Sequence, residues 1–402
     1  MGRSLTRCCV RCLLAASVVF SPVTLRAQSG PGGSGQPAVV PANLAAANLA
    51  AAMVRYRRAL EEYDRAQQSY ATAASAYWNS IAEKRKERSG KRARGQPIAI
   101  GDYVLVQPPV YTGPPKPQNP SLPPTPPQRP PYVPVVADFL AAAREEFKFM
   151  PRQPQSDGEF KRAYAKVAQA AGLSKDQAVR VYSFEATGNG NYDIQAGLEY
   201  NKHVRAVSTA LGYNQLLATN TVEIIAEAGG QFVASLQANA APLPDDQKRA
   251  LENKIEIVRR MVAFARSVPD AWGQHEALAS TQKGLGVHAL NLDIDVGPLL
   301  QTQKLMDSVV FARRKGFGAP LSAAELEMMN LTGDGNGFDM VTMPAAWRDK
   351  VPTSNFFQRS GYAENPVAQR NNVVSRLIAA TDAVMDEESK KSGARELAAV
   401  FH

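Results

Sequence analysis

Cysteine is almost absent from the sequence, since only Cys8, Cys9 and Cys12 carry a thiol among 402 residues. Long apolar runs are also missing, and none approaches the roughly 20 residues that a membrane-spanning helix needs. This argues against an integral membrane segment. The four histidines are scattered without the spacing of zinc ligands. We therefore predict no metal site and no cofactor.

The first 27 residues have the pattern of an export signal. Arg3, Arg7 and Arg11 precede a short apolar stretch, residues 13–20, and residues 25–27 form a small-residue cleavage site. Removal of residues 1–27 takes away all three cysteines and four arginines, so the formal charge of +9 becomes +5. We expect an exported protein, periplasmic or secreted, with no disulfide and no catalytic thiol. A buried N-terminal helix is the alternative.

Residues 28–43 are rich in Gly, Pro and Ser and predict a flexible segment. Residues 44–88 predict one long helix with a heptad repeat. One heptad position holds Leu49, Tyr56, Tyr63, Tyr70 and Tyr77, and the other holds Met53, Leu60, Gln67, Ala74 and Ile81. Two interpretations fit this heptad pattern. One is a coiled coil that gives weak self-association through residues 49–81, and the other is a single amphipathic helix folded back on its own domain.

The end of this helix is strongly basic, with seven Lys and Arg among residues 84–94. Such a cluster fits contact with anionic glycopolymer, lipid head groups or nucleic acid, and it fits equally a solvated helix end. Residues 89–107 also include a short predicted strand, Ile98 to Val106. Thirteen of the 28 prolines lie in residues 108–134, which predict an extended linker and semi-rigid spacer, or a ligand for a partner domain.

Residues 135–402 show helical periodicity and no alternating runs that would support a large sheet, so the fold class is mainly α. Ser174 with Gln177 and Ser322 with Glu325 have the spacing of capping boxes at helix starts. Residues 245–268 predict a long helix, and Gly229-Gly230 predicts the end of another. We expect one sizeable α-helical domain in this part of the chain.

One carboxylate in this domain stands out by its position. Ala178, Val181 and Tyr182 form an apolar stripe at helical spacing, and Glu185 is the next member of that stripe. A polar, glycine-containing loop, residues 187–191, follows at once. Because burial raises the pKa of a carboxyl group, a Glu in this position suits a general acid for glycoside cleavage. A boundary Glu that caps the loop is the alternative.

Several short motifs follow in a defined order. Residues 184–188 read Phe-Glu-Ala-Thr-Gly, and residues 208–217 read Ser-Thr-Ala-Leu-Gly-Tyr-Asn-Gln-Leu-Leu. Residues 293–300, 324–333 and 353–357 follow. Over roughly residues 167–361, this order resembles the soluble lytic murein transglycosylases of the lysozyme-like superfamily. The sequence departs from the family pattern at Ala186, Tyr213-Asn214 and Met329, and by an insertion of about a dozen residues after Gly188.

The resemblance implies a lysozyme-like fold and a role for each matching residue. Glu185 would be the catalytic acid and then the base, and Ser208 would buttress it. Gln215, with Tyr213 and Asn214, would line the sugar groove. Asn330 would hold substrate near the scissile bond. To these we add Tyr192, since an aromatic ring on the loop after the acid suits stacking on a sugar.

The resemblance implies an exported enzyme that cleaves peptidoglycan at the bond between N-acetylmuramic acid and N-acetylglucosamine. A transglycosylase needs one Glu, whereas a hydrolase needs a second carboxylate. Asp193 is the candidate for it, but a loop carboxylate that satisfies its own turn is the favoured interpretation of this residue. The alternative is a non-catalytic protein that binds or scaffolds the cell wall through a lysozyme-like groove. Residues 334–339 superficially resemble a calcium loop but lack its ligand spacing, and we predict a tight turn there.

Overall fold

The computed structural model describes residues 42–123, 130–198 and 205–401. The predicted export signal, residues 1–27, and most of the flexible segment after it lie outside these ranges. Sixteen α-helices and three isolated β-bridges occur in the described part of the chain. The prediction of a mainly α protein is therefore confirmed. The described residues divide into two units: residues 42–81, 107–123 and 130–131 belong to one, and residues 82–106 and 132–401 to the other.

The first helix, α1 (Ala42–Ala93), is longer than the predicted 44–88. It is rich in Ala, Arg, Glu and Gln, which all have good helix propensity. Gly95, with φ of 65°, lies just after the helix, and the Gln96 N–H donates to the Lys91 carbonyl at 2.9 Å. Of the ten heptad residues, all but Leu49 are buried or half-buried, so the apolar face falls where the repeat predicts it.

The proline-rich segment lies against α1 in the smaller unit. The Tyr111 ring contacts the rings of Tyr63 and Tyr70 edge to face, with centroids 6.3 and 5.6 Å apart. The backbone at Gly113 lies so close to α1 that a Cβ on this residue would be 2.7 Å from the Ala66 Cβ. This part of the predicted semi-rigid spacer therefore packs on α1, because two heptad tyrosines provide a surface for the Tyr111 ring. Self-association through residues 49–81 stays a prediction.

The predicted strand at residues 98–106 does not form. A 3₁₀ turn (Ile100–Asp102) takes its place. The Asp102 carboxylate accepts from the Ala99 N–H at 2.7 Å and from the Lys91 ammonium at 2.6 Å. A local side-chain bond to the backbone stabilises the turn at the expense of extended structure.

Fifteen further helices belong to the larger unit. They are α2 (Val136–Phe147), α3 (Asp157–Ala171), α4 (Lys175–Glu185), α5 (Ala218–Ala240), α6 (Asp245–Ala265), α7 (Trp272–Ala279), α8 (Gln282–His288), α9 (Gly297–Arg314), α10 (Ala323–Thr332), α11 (Asp334–Thr342), α12 (Ala345–Arg348), α13 (Arg359–Ala363), α14 (Pro366–Arg370), α15 (Val374–Glu388) and α16 (Ser392–Ala399). Helix α2 packs on α8, α3 packs on α9, and α5 pairs with α6. Helix α4 packs against α10, α15 and α16.

The long helix α5 corrects the prediction made from Gly229-Gly230. It continues through Gly229-Gly230 to Ala240 and does not end at the two glycines. A Cβ at Gly229 would lie 2.4 Å from the Val262 side chain on α6. The glycine therefore permits close packing of two helices, which favours it inside the helix despite its low propensity. Helix α6 ends at Ala265, three residues before the predicted end.

One arginine of the basic cluster at the end of α1 is internal. The Arg88 side chain is fully buried, its Nε donates to the Asp339 carboxylate at 3.2 Å, and its two Nη atoms donate to the carbonyls of Asp102 and Asn355, both at 2.9 Å. Arg92 pairs with the same carboxylate. Neither a surface for anionic polymers nor a solvated helix end describes Arg88, because a partner 251 residues away holds it in the core.

Residues 334–339 form the start of α11 and not the predicted tight turn. The Asp334 carboxylate accepts from the Ser308 hydroxyl at 2.6 Å, and Asp339 faces the two arginines. Both acids are thus used in packing. No group of three acidic, His or Cys side chains that could hold a metal ion occurs among the described residues. Within the same ranges, no helix combines the length and apolar character needed to cross a membrane.

His288 at the end of α8 is a buried neutral group. Its Nε2–H donates to the Thr209 carbonyl at 2.8 Å, and its Nδ1 accepts from the Thr221 hydroxyl at 2.8 Å. Burial lowers the pKa of His288 from 6.5 to about 4. The unfolded chain therefore binds a proton on this side chain between pH 6.5 and 4, while the folded chain does not.

Stability should consequently fall on mild acidification. Between pH 7 and pH 5 we expect His288 to reduce the free energy of unfolding by about 2 kcal/mol, from the linkage between proton binding and folding. Chemical denaturation of the parent and of His288→Gln at both pH values measures this effect as the difference between their pH dependences. Equal pH dependences in the two proteins would contradict it.

Candidate functional site

Helix α4 presents Glu185 as the stripe predicts. Its start is the predicted capping box: the Ser174 hydroxyl accepts from the Gln177 N–H at 3.1 Å, and the Gln177 side chain accepts from the Ser174 N–H at 3.0 Å. Ala178, Val181 and Tyr182 are fully buried. Glu185, the last helical residue, is half-buried at the end of this inward stripe.

The turn after Glu185 has an unusual backbone. Thr187 and Gly188 both have positive φ, 55° and 67°. The Gly188 carbonyl accepts from the Ala394 N–H of α16 at 2.8 Å, and the Lys391 ammonium donates to the Thr187 carbonyl at 3.0 Å. A Cβ on Gly188 would lie 2.2 Å from the Glu388 carbonyl oxygen. The C-terminal helices therefore hold the turn in place.

Gly188→Ala should destabilise the fold by about 2–4 kcal/mol, because positive φ and a backbone clash act together. Gly172→Ala is the matched control: its φ is 91°, but no atom lies within 4 Å of the added Cβ. That control should cost about 1 kcal/mol, from the backbone conformation alone. Chemical denaturation compares the two variants. Equal losses of unfolding free energy in the two variants would mean that the turn can rearrange and that α15 and α16 do not fix its conformation.

Asn330 lies beside Glu185. It belongs to α10, which starts at the predicted Ser322–Glu325 capping box. The Asn330 Nδ2 donates to Glu185 Oε1 at 2.9 Å and lies 3.3 Å from Glu327 Oε2. The structure thus brings together two residues that are 145 positions apart and that the motifs pair. An amide that touches the proposed acid is well placed to hold the acid and a bound sugar in register.

Glu327 is the residue that the sequence reasoning missed. It is fully buried one helical turn before Asn330, and its carboxyl group is hydrogen-bonded to that of Glu185. Burial raises the pKa of Glu327 well above its usual range, and the nearby Glu185 charge raises it further. Two neighbouring carboxyl groups cannot both ionise at low cost, so the contact favours the neutral form of Glu327. The spacing of Glu327 and Asn330 on one helix face was the available signal.

Asp193, the candidate second carboxylate for a hydrolase, is not part of this pair. It is exposed on the loop after Glu185. Partial burial raises the pKa of its carboxyl, with a smaller contribution from Asp157. The acid that accompanies Glu185 comes instead from α10.

The Gly-Tyr-Asn-Gln segment is mostly internal. Tyr213 and Asn214 are fully buried. The Tyr213 hydroxyl donates to the Asp157 carboxylate at 2.8 Å, and its ring lies edge to face on Tyr182, with centroids 4.7 Å apart. The Asn214 amide donates to the Gln301 carbonyl at 2.8 Å. These contacts fix the segment against α4 and α9 and disfavour direct sugar contacts by either side chain.

Gln215 and Ser208 are half-buried and bond within their own loop. Gln215 has φ of 43°, and its amide donates to the Gly212 carbonyl at 2.8 Å. The Ser208 hydroxyl accepts from the Ala210 N–H at 3.2 Å. The described contacts of Ser208 thus support its loop, whereas the resemblance would have it buttress Glu185.

Tyr192 is held from two sides. Its ring stacks on Phe160, with centroids 5.3 Å apart and an interplanar angle of 29°, and its N–H donates to the Asp157 carboxylate at 2.8 Å. Of the seven predicted site residues, the structure therefore shows Glu185 and Asn330 in direct contact. The other five lie between α4 and α5, and their described contacts support that segment.

Comparison of the chain with protein-family models, with curated proteins and with solved structures finds no match. The geometry around Glu185 and the motif resemblance therefore carry the functional conclusion.

Proposed function

We propose that the protein is an exported peptidoglycan-cleaving enzyme, a lytic transglycosylase of lysozyme-like fold with Glu185 as its acid and base. The observation that carries this proposal is the hydrogen-bonded carboxyl pair of Glu185 and Glu327, joined by Asn330. The pair lies at the end of α4, where Glu185 is half-buried.

The closeness of the pair favours a transglycosylase over a hydrolase. Inverting glycosidases hold their carboxyl groups about 6.5–9.5 Å apart to leave room for water, and retaining enzymes hold them about 5–5.5 Å apart across the sugar. Two carboxyl groups that hydrogen-bond to each other leave no such space. Glu327 is therefore unsuited to activate water or attack the sugar, and single-carboxyl chemistry remains.

In that chemistry Glu185 donates its proton to the glycosidic oxygen as the bond from this oxygen to C1 of the muramyl sugar breaks. The N-acetyl carbonyl of the substrate stabilises the positive charge that develops at C1. The Glu185 carboxylate then takes the proton of the 6-hydroxyl, and that oxygen bonds to C1 to close an anhydro ring. Glu185 ends protonated, as it began, and no water is consumed.

Mass analysis of purified murein after incubation with the protein tests the proposal. Anhydro-muropeptides are the expected products. Reducing ends would show a hydrolase, and binding without products would show the non-catalytic wall-binding protein that is the alternative. A parallel sedimentation assay with murein measures binding, so a loss of turnover is separated from a loss of substrate affinity.

Glu327→Gln tests the carboxyl pair. The amide can still donate to Glu185, but it favours the ionised form of Glu185 and cannot supply the second proton site. We expect the alkaline limb of the kcat/KM profile to move about one pH unit toward acid, with roughly tenfold less activity at neutral pH. Glu325→Gln, two residues earlier on α10, is the control and should leave the limb in place. An unchanged profile in Glu327→Gln would contradict the coupling of the two carboxyl groups.

A further inference from the structure

A second concave site lies in the larger unit, apart from Glu185. It is a cleft of about 290 Å³ between the chain that follows α1 and the ends of α9, α11 and α12. Its lining residues are Arg92, Gly95, Gln96, Ile98, Tyr103, Lys315, Phe338, Asp339, Thr342, Met343, Pro344 and Trp347. None of them belongs to the Glu185, Glu327 and Asn330 cluster.

The cleft carries an excess of positive charge. Arg92 and Lys315 are its cations, and Asp339 is the one acid among the described lining residues. Asp339 is already paired with both Arg88 and Arg92. The exposed Lys315 ammonium donates to the Arg92 carbonyl at 3.3 Å, which leaves two further N–H donors on the ammonium. The ligand that complements this charge is an anion.

Part of the remaining wall is apolar and aromatic. Trp347 and Phe338 are half-buried, and Met343 is buried beside them. An inorganic anion would use the cations alone. A ligand with an apolar group next to its charge would use both halves of the cleft.

We propose that this cleft binds the carboxyl end of a short peptide whose last side chain is apolar. The Arg92 guanidinium has the planar shape that suits a carboxylate, and Lys315 adds a point charge. A volume of about 290 Å³ lies at the lower end of the range for small-ligand sites, which suits a short peptide end. The proposal does not rest on the chemistry at Glu185, so each can fail without the other.

Calorimetric titration of the full chain with N-acetyl-L-alanyl-L-phenylalanine tests it against the matched C-terminal amide. The free carboxylate should bind saturably, and the amide at least tenfold more weakly, because the amide lacks the charge. Binding should weaken as salt is raised. Equal affinity for the acid and its amide would overturn the proposal. So would the absence of saturable binding up to about 10 mM both for this acid and for the D-peptide described below.

Variants locate the binding. Lys315→Gln removes an exposed charge and should weaken binding of the acid about fivefold or more, whereas Lys283→Gln, an exposed lysine outside the cleft, should not change it. Binding should also quench or shift the fluorescence of Trp347, and Trp347→Phe should lose that signal. Unchanged affinity in Lys315→Gln would place the peptide elsewhere and overturn the assignment.

A third titration separates two sources of the same chemistry. N-acetyl-D-alanyl-D-alanine presents the configuration of a cell-wall peptide, and the L-peptide presents that of a protein C-terminus. Tighter binding of either one supports a carboxylate site and identifies its source. Failure of both to bind overturns the proposal.

Discussion

Glu185→Gln should abolish murein cleavage while leaving the protein folded. The amide has nearly the shape of the carboxyl group and keeps its hydrogen-bonding contacts with Asn330 and Glu327, but it cannot deliver a proton. Loss of a general acid typically lowers the rate by about 10²–10⁴-fold. Clearance of a murein suspension measures the activity, and the thermal midpoint checks that the fold is intact.

Asp193→Asn is the matched control, since it removes the acid that the sequence first offered as a partner. It should keep activity within about a factor of three, because Asp193 is exposed and outside the carboxyl pair. If Glu185→Gln clears murein as fast as the parent, Glu185 is not the acid. If Asp193→Asn loses as much activity as Glu185→Gln, the chemistry uses two separated carboxylates after all.

Arg88→Met should reduce the free energy of unfolding by about 3–5 kcal/mol, the range found when one partner of a buried ion pair is removed. Methionine fills part of the space, but the carbonyls of Asp102 and Asn355 lose their donor, and Asp339 keeps Arg92 alone. The cation also lies 4.5 Å from the centroid of the Tyr103 ring, and that contact disappears as well. Urea denaturation of the purified protein measures the loss.

Two further variants make the result specific. Arg94→Met, an exposed arginine six residues on, should change stability by less than about 0.5 kcal/mol. Asp339→Asn combined with Arg88→Met should cost less than the sum of the single changes, because the double variant leaves less buried charge unpaired. Additive costs would mean that Arg88 and Asp339 are packed together but not energetically coupled.

The parts of the structure that the sequence predicts are local ones. The two capping boxes need three-residue spacing alone, and the α4 stripe needs one helical period, so both can be found from neighbouring residues. The heptad face of α1 follows from the same kind of pattern. Glu185 could be singled out because its position on that stripe is visible without any tertiary contact.

The parts that escape prediction depend on distant partners. A glycine pair ends a helix in isolation, but at Gly229 the close approach of Val262 reverses that preference. A run of arginines looks solvated until Asp339 supplies a buried partner for Arg88. Glu327 could not be predicted as a site residue, because a single acid on a helix forms no pattern that indicates a functional role. Its role appears only when α4 brings Glu185 against it.

The same contacts revise the expected domain boundary. A chain that begins at Val135 would lack Arg88, Arg92 and the 3₁₀ turn at Ile100–Asp102, all of which belong to the larger unit. Asp339 would then be buried without either cation. The C-terminal region is therefore not expected to fold by itself at full stability, and the unit has to include residues 82–106.

The turn after Glu185 also sets an order of events during synthesis. Its positive φ values at Thr187 and Gly188 are held by bonds from Lys391 and Ala394, close to the last residues of the sequence. A chain is synthesised from its N-terminus to its C-terminus. Glu185 is therefore made some 200 residues before the groups that fix the turn beside it. An incomplete chain would thus carry the acid without its geometry.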